Sequence, residues 1–420
     1  MEREKEMFRY AYTQSPYYQA KLSEKELSID DLMQDWTKIP VVDKRDLICA
    51  EESVLPASSC DTFGEDRIYS MFSSGCTGLC IKPVWSQRDL ASSKMSLLDY
   101  RNKFYNIGDY DKSCSFNIYA DKYDNDLIPG RESNGRDLNF SMLNLNSRRV
   151  KEIYRIMYQY DPVWIIMPPS VAMIFADYIM QNNLEPIASL RSVELVKEWV
   201  SPKQRKYIEE AFHCRTVSLY SSYEMNAIAY ECPEGHLHIL EENVLVEVMD
   251  GDKVLPEGEE GELVFTSLSN TIMPFVRYKI GDRGRISSGE CICGCTGKRL
   301  ELTKAKEDDM IQVENDIDVP AYEFVHAIRR TMNIMELDIL QYQVEQTGFL
   351  SYIVSIVAKK GEILKNKDLQ EKFKQVFRSN IAHDYVRKSI FTFRFRDKLF
   401  PVKSSDKLRD FWTFKAEDEE

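Results

Sequence analysis

The sequence predicts a mixed α/β protein in two unequal parts, a large N-terminal α/β body and a small C-terminal α/β unit. Three observations lead there. Helical periodicity alternates with short β-branched runs, 420 residues exceed what a single core organises, and the charged stretch Lys304-Ala-Lys-Glu-Asp-Asp309 separates two different patterns. The boundary is expected at Asp308, which divides the chain into 1–307 and 308–420.

Along the body, Ile68-Tyr-Ser-Met-Phe72 reads as a strand, and helical spacing runs from Ser86 to Tyr105, Asn146 to Tyr160, Ser170 to Asn182 and Pro202 to Phe212. Ser201 and Pro202 fit the N-cap and first position of the last helix. Val244 to Val248 and Lys253 to Leu255 read as a hairpin turning at Asp250-Gly251, with another strand from Gly261 to Thr266. Past the charged stretch come a helix led by Pro320, a strand from Tyr352 to Ala358, a helix from Lys365 to Ile381 and a strand from Ile390 to Phe395. The acidic end Glu417-Asp-Glu-Glu420 reads as a frayed tail.

A formal charge of -13 disfavours binding to a nucleic-acid backbone, although a local pocket for one nucleotide needs only a few cations. The opening Met1-Glu-Arg-Glu-Lys-Glu carries no cleavable apolar segment, and the most apolar run, Val163 to Phe175, is short and broken by Pro168-Pro169. A soluble, cytoplasmic protein with no membrane or nucleic-acid partner is expected. Of ten cysteines, Cys49, Cys60, Cys76, Cys80, Cys114 and Cys214 are scattered and read as small buried hydrophobes. The other four are bunched.

Three segments carry chemistry. Ser73-Ser-Gly-Cys-Thr-Gly78 is a small-residue loop between a strand and a helix, where backbone N–H groups can approach phosphate oxygens closely; as a bland turn it would only connect them. Tyr220-Ser-Ser-Tyr-Glu-Met225 delivers Glu224 from a strand beginning at Thr216 into a polar turn, where a carboxylate can hold Mg²⁺ or simply face solvent. In Arg277-Tyr-Lys-Ile-Gly-Asp282, Gly281 lets the chain turn and Asp282 can accept hydrogen bonds from a ribose diol.

In this order the three segments resemble those of the adenylate-forming superfamily, in particular its phenylacetate–CoA ligase, coenzyme F390 synthetase and capsule-locus branch. Tyr10-Ala-Tyr-Thr-Gln-Ser-Pro-Tyr-Tyr18, Ile39-Pro-Val-Val-Asp-Lys-Arg-Asp-Leu47 and the ungapped stretch from Cys291 to Met310 extend the resemblance over nearly the whole chain. It implies the adenylate-forming enzyme fold and ATP-dependent activation of a small carboxylic acid to acyl-AMP, followed by transfer to a thiol. Ser73, Ser74, Gly75, Thr77 and Gly78 would hold the ATP phosphates, Glu224 would face Mg²⁺, Tyr220 would pack near the adenine, and Asp282 and Arg299 would bind the ribose side. Asp308 matches the hinge about which a mobile C-terminal domain swings, and Phe400-Pro-Val-Lys-Ser-Ser-Asp-Lys-Leu-Arg409 places Lys407 as the adenylation lysine. Composition alone would read Lys403 and Lys407 as a solvated basic face. The expected partners are the acid, CoA or an acyl carrier protein, and a second copy of the chain as a homodimer.

Cys291-x-Cys293, a third thiol at Cys232 and an imidazole at His238 form a soft four-ligand set suited to structural Zn²⁺. His238 is preferred to His236 because the family pattern sets its histidine in a Gly-x-His-Ile context, while Cys295 stands at the family's arginine and is a competing ligand.

Several positions depart from the pattern. Cys76, Leu79 and Cys80 alter the phosphate loop, Tyr223 and Asn226 alter the acid pocket, and Glu314-Asn315 replaces an Arg-Gly pair that gives the pantetheine arm its passage. Ala305-Lys306 and Asp406 depart as well. A carrier-protein thiol or an amine therefore competes with CoA as acceptor, and a nucleotide-binding scaffold without turnover is the reading from another class. Pocket walls are expected in Asn139 to Asn146, Met167 to Ser170 and Ser218 to Asn226, suited to an aromatic or similarly compact acid.

Overall fold

The structure is a computed structural model and describes residues 2–24, 28–30, 35–56, 68–70, 81–117, 136–141, 147–197, 200, 202–303, 310–314, 317–320, 322–337, 339–358, 362–381, 384–396 and 411–412. Three N-terminal helices, α1 (Glu2–Gln14), α2 (Pro16–Glu24) and α3 (Lys44–Ala50), precede the hairpin of β1 (Ile68–Ser70) and β2 (Val84–Ser86). Helix α4 (Gln87–Tyr105) starts where Ser86 accepts from the Asp89 N–H. The strands β3 (Ser113–Asn117) and β4 (Asp137–Ser141) then lead to α5 (Ser147–Tyr160), β5 (Trp164–Met167), α6 (Pro169–Asn182), β6 (Ser192–Val196), α7 (Pro202–Phe212) and β7 (Arg215–Ser222). These are βαβ crossovers, and the five strands are parallel in the order β4-β3-β5-β6-β7.

The order reverses between β3 and β5, the kind of switch point outside which ligands of open α/β sheets bind. Met167 ends β5 there, and Ser141 ends the neighbouring β4. One face of this half is covered by α5, α6 and α7 through Val150, Met157, Phe175, Ile208 and Phe212. On the other, Leu97 of α4 packs with Val217, Leu219 and Tyr230. Being covered on both sides makes β6 buried throughout, and its Glu194 is neutralised by Arg101, whose Nε and Nη2 donate at 2.7 and 2.6 Å.

From β7 the sheet continues antiparallel through β8 (Asn226–Glu231), β9 (Leu237–Ile239), β10 (Val244–Asp250), β11 (Lys253–Val254), β12 (Gly261–Ser267), β13 (Tyr278–Ser287) and β14 (Arg299–Leu302). The whole has twelve strands in the order β11-β10-β12-β13-β14-β9-β8-β7-β6-β5-β3-β4. Its antiparallel part is packed by the N-terminal helices, with Phe8, Tyr12, Tyr18, Val42 and Leu47 against Val246, Leu263, Phe265 and Tyr278.

The C-terminal residues form a core of their own. The hairpin of β15 (Met310–Glu314) and β16 (Ile317–Pro320) precedes α8 (Tyr322–Met335). The strands β17 (Ile339–Gly348), β18 (Ser351–Ala358), β19 (Ile390–Arg396) and β20 (Phe411–Trp412) form a sheet in the order β19-β18-β17-β20. Phe324 and Ile328 of α8, with Phe373 and Phe377 of α9 (Lys367–Ser379), cover its Tyr342, Val344, Val354 and Phe391.

Four expectations need correction. Asp250 pairs with Lys253, so Gly251 and Asp252 make the hairpin turn, with Gly251 at φ 58°. Pro320 ends a strand opposite Met310 and does not lead the helix. The helix expected from Lys365 is interrupted at Asn366, which caps α9 by accepting from the Leu369 N–H. Cys49 is exposed, whereas Cys114 is buried as expected. Ser201, Cys60, Cys76 and Cys80 lie outside the described residues.

Candidate active site and metal centre

The short turn from β7 to β8 places Glu224. Ser222 accepts from the Met225 N–H at 3.0 Å, Trp85 Nε1 donates to the Tyr223 carbonyl at 2.8 Å, and Asn226 takes φ 59°. Glu224 is not a surface acid: it is 2% exposed, and its Oε1 accepts from the Tyr278 hydroxyl at 3.1 Å and lies 3.6 Å from Lys44 Nζ. Burial and the neighbouring Glu224 raise the Tyr278 phenol well above the usual range, so it remains a donor. Beside this group, the Tyr220 hydroxyl donates to Asp282 Oδ2 at 2.6 Å. Asp282 lies inside β13, where Gly281 at φ 105° makes the local bend.

Lys44 reaches this place because an N-terminal strap is fastened to β13. Val42 forms a parallel bridge to Tyr278, with Val42 N–H donating to the Arg277 carbonyl and Lys279 N–H to the Val42 carbonyl. The fully buried Arg277 donates to Glu247 at 3.0 Å and to the carbonyls of Ile39 and Thr37 at 2.6 and 3.1 Å. The Tyr18 hydroxyl joins the Pro274 carbonyl and the Val276 N–H.

A second cluster lies where β8, β9 and β14 meet. Ligand atoms of Cys232, His238, Cys291 and Cys293 all lie within 4.8 Å of one another. Two similar turns present them. Cys232 N–H donates to the His236 carbonyl and Gly235 N–H to the Cys232 carbonyl, and Cys291, Gly294 and Cys295 repeat the pattern. Gly235 and Gly294 take φ 80° and 81°, which suits glycine. Metal distances of about 2.3 Å to sulfur and 2.0 Å to nitrogen imply tetrahedron edges of about 3.5–3.8 Å, roughly 1 Å inside this spread. Three thiols and an imidazole thus fit a tetrahedral soft metal without rearrangement of the chain.

Burial pushes the Cys291 thiol up, but donors from Cys293, His236 and Cys232 outweigh it and bring it to about 7. Burial, and then the charges of Arg299, His236 and Lys103, hold His238 below the usual histidine value, favouring the neutral imidazole a metal needs. His236 Nδ1 also approaches Cys291 Sγ at 3.3 Å, whereas Cys295 is engaged by Lys103, whose Nζ donates at 2.9 Å.

The structure therefore brings Tyr220 together with Asp282, and the four metal-ligand candidates with one another. Arg299 is not with Asp282. It pairs opposite His238 and Ser287, five residues along β13 from Asp282, or about 16 Å at strand spacing. Its charge acts on His238. Ser73, Ser74, Gly75, Thr77, Gly78, Asp308 and Lys407 lie outside the described residues. Sequence reasoning missed Lys44 and Tyr278 as neighbours of Glu224, although both stand in segments the resemblance had picked out.

The half-parallel sheet, the strapped turn bearing Glu224 and the separate C-terminal core define the class: this is the adenylate-forming fold. A 2-hydroxyisobutyryl-CoA ligase in complex with 2-HIB-AMP and CoA in the thioesterification state superposes with a TM-score of 0.64 at 17% identity, covering 98% of this chain and 88% of that one. Its open form gives 0.59 at 17% identity, over 97% and 89%. No family model matches the sequence. Among curated proteins, a phenylacetate-coenzyme A ligase of Thermus thermophilus is 31% identical over 163 residues, 37% of each chain. One of Pseudomonas putida is 25% identical over 74% of this chain and 70% of its own, and Protein CapK of Staphylococcus aureus is 24% identical over 92% and 85%. The chain thus has phenylacetate–CoA ligases among its homologues and adenylate-forming acyl-CoA ligases among its structural neighbours. Among the described residues no helix is long and apolar enough to cross a membrane.

Proposed function

We propose that this protein is an AMP-forming acid–thiol ligase. It activates a small, compact, aromatic carboxylic acid as acyl-AMP with release of pyrophosphate, then transfers the acyl group to CoA. The observation that carries the reading is the pairing of Tyr220 on β7 with Asp282 on β13, together with the buried Glu224 in the turn that follows β7. An acid already held by a phenol is an oriented acceptor for a ribose hydroxyl, and a buried carboxylate is a hard ligand for the magnesium that accompanies ATP.

In the adenylation step the substrate carboxylate attacks the α-phosphorus in line and pyrophosphate leaves. Charge builds on the non-bridging oxygens. Lys407 is assigned to meet that charge, a contribution of ~3–4 kcal/mol for comparable donors. Glu224 would hold magnesium, which would supply positive charge to the polyphosphate. The loop of Ser73 to Gly78 binds the phosphates, and rotation of 308–420 about Asp308 exchanges the adenylation site for the thioester site. Cys232, His238, Cys291 and Cys293 would hold a structural zinc, which would fasten β8, β9 and the turn after β13.

Incubation with ATP, aryl acids and CoA, with AMP and thioester followed together, tests this. Stoichiometric AMP and thioester support it, while AMP-forming turnover that never yields a CoA thioester contradicts the acceptor. Glu314 and Asn315, where the resembling proteins have Arg-Gly, favour as the second reading an amine acceptor, which needs no pantetheine passage.

A further inference from the structure

The acid assigned to magnesium already has a cation beside it. Glu224 is 2% exposed and Lys44 is 5% exposed, with Nζ 3.6 Å from Oε1. The same oxygen accepts from Tyr278. One neutral hydroxyl does not replace the hydration of a carboxylate taken this deep, so a counter-charge is required, and Lys44 supplies it.

The chain fixes that lysine with care. Lys44 is the first residue of α3, whose start is closed reciprocally: Asp46 N–H donates to Asp43 Oδ1 at 2.9 Å, and Asp43 N–H donates to Asp46 Oδ2 at 3.1 Å. Two residues earlier, Val42 bridges to Tyr278, the residue that also donates to Glu224. Strap, lysine, phenol and carboxylate form one connected unit.

We propose that Lys44 is a positioning residue that stands in for magnesium: it holds Glu224 in place while no nucleotide is bound, and the divalent ion must displace it. The inference rests on the assignment of Glu224 to magnesium. A dication on this oxygen and an ammonium 3.6 Å from it repel strongly in a site from which water is excluded. Loading the site is therefore an exchange of one cation for another, and the concentration of Mg²⁺ needed is set partly by Lys44.

The test is thermal melting of the full chain titrated with MgCl₂ at a saturating, non-hydrolysable ATP analogue, because a ligand that binds the folded state raises its melting point. In Lys44→Met the ligand-free protein melts below wild type, and the Mg²⁺ midpoint falls about tenfold as the competitor disappears. Lys44→Arg keeps the wild-type midpoint. An unchanged or raised midpoint in Lys44→Met overturns the proposal. If Lys44→Met does not fold, adding Glu224→Gln removes the unpaired charge and restores folding; failure of that restoration also overturns it. Glu224→Gln with the wild-type midpoint would remove the magnesium assignment itself, and a wild type indifferent to nucleotide and Mg²⁺ would overturn both.

Discussion

The Tyr220 hydroxyl donates to Asp282 at 2.6 Å although β8, β9 and β14 stand between their two strands in the sheet. This is possible because the intervening strands are short. β9 has three residues and β14 four, and β14 pairs only with Gly284 to Ser287 of β13. The first half of β13 stays paired with β12 through Tyr278 and Lys279 but has no β14 partner on its other edge. There Asp282 meets Tyr220 and Tyr278 meets Glu224.

Asp282→Ala should raise the KM for ATP about 10- to 100-fold, since a hydrogen bond to a charged group is worth ~1.5–3 kcal/mol. The acid's KM should change far less. Steady-state kinetics with each substrate varied in turn check this, and equal increases in both would contradict a ribose role.

Cys293→Ala should release zinc and lower the melting temperature, because a structural metal contributes folding free energy directly. Metal analysis of the purified wild type and variant, paired with melting curves, checks the prediction. A wild type without zinc would remove the site.

The metal-free protein should lose stability on acidification. His238 binds its proton at lower pH in the folded chain than in the unfolded one, so between the folded value and about 6.5 the unfolded state holds more protons and stability falls as pH falls. Melts of chelator-treated protein from pH 8 to pH 5 measure this. His238→Gln should flatten the dependence, and an unchanged slope would point to other groups.

Arg101→Met should destabilise the fold by about 3–5 kcal/mol, because it leaves Glu194 buried at 0% exposure without its charge partner. The Tyr230 hydroxyl, which donates to Glu194 at 2.6 Å, is not a replacement for a guanidinium. Adding Glu194→Gln should recover much of the loss in denaturant unfolding. Additive losses would mean that the two side chains act independently.

Much of the fold was legible because its signals are local. The helical spacing of α4 to α7 and the hairpin of β10 and β11 lie within short windows, and the thiol spacing of Cys291 and Cys293 marks a tight turn by itself. What stayed hidden depends on distant pairings. Lys44 and Glu224 are 180 residues apart in sequence, and the bridge from Val42 to Tyr278 helps bring them together. Arg299 misled for the same reason: the resemblance set it with Asp282 on the ribose side, but the register of β14 against β9 sets it opposite His238. Pro320 misled because a proline that can open a helix can equally end an edge strand.

ATP–pyrophosphate exchange against aryl, fatty and amino acids separates an adenylating enzyme from a nucleotide-binding scaffold. Acid-dependent exchange is expected with at least one compact aryl acid, abolished by Lys407→Ala in a protein that still folds and binds ATP. No exchange with any acid, or near-normal exchange in Lys407→Ala, would contradict that expectation.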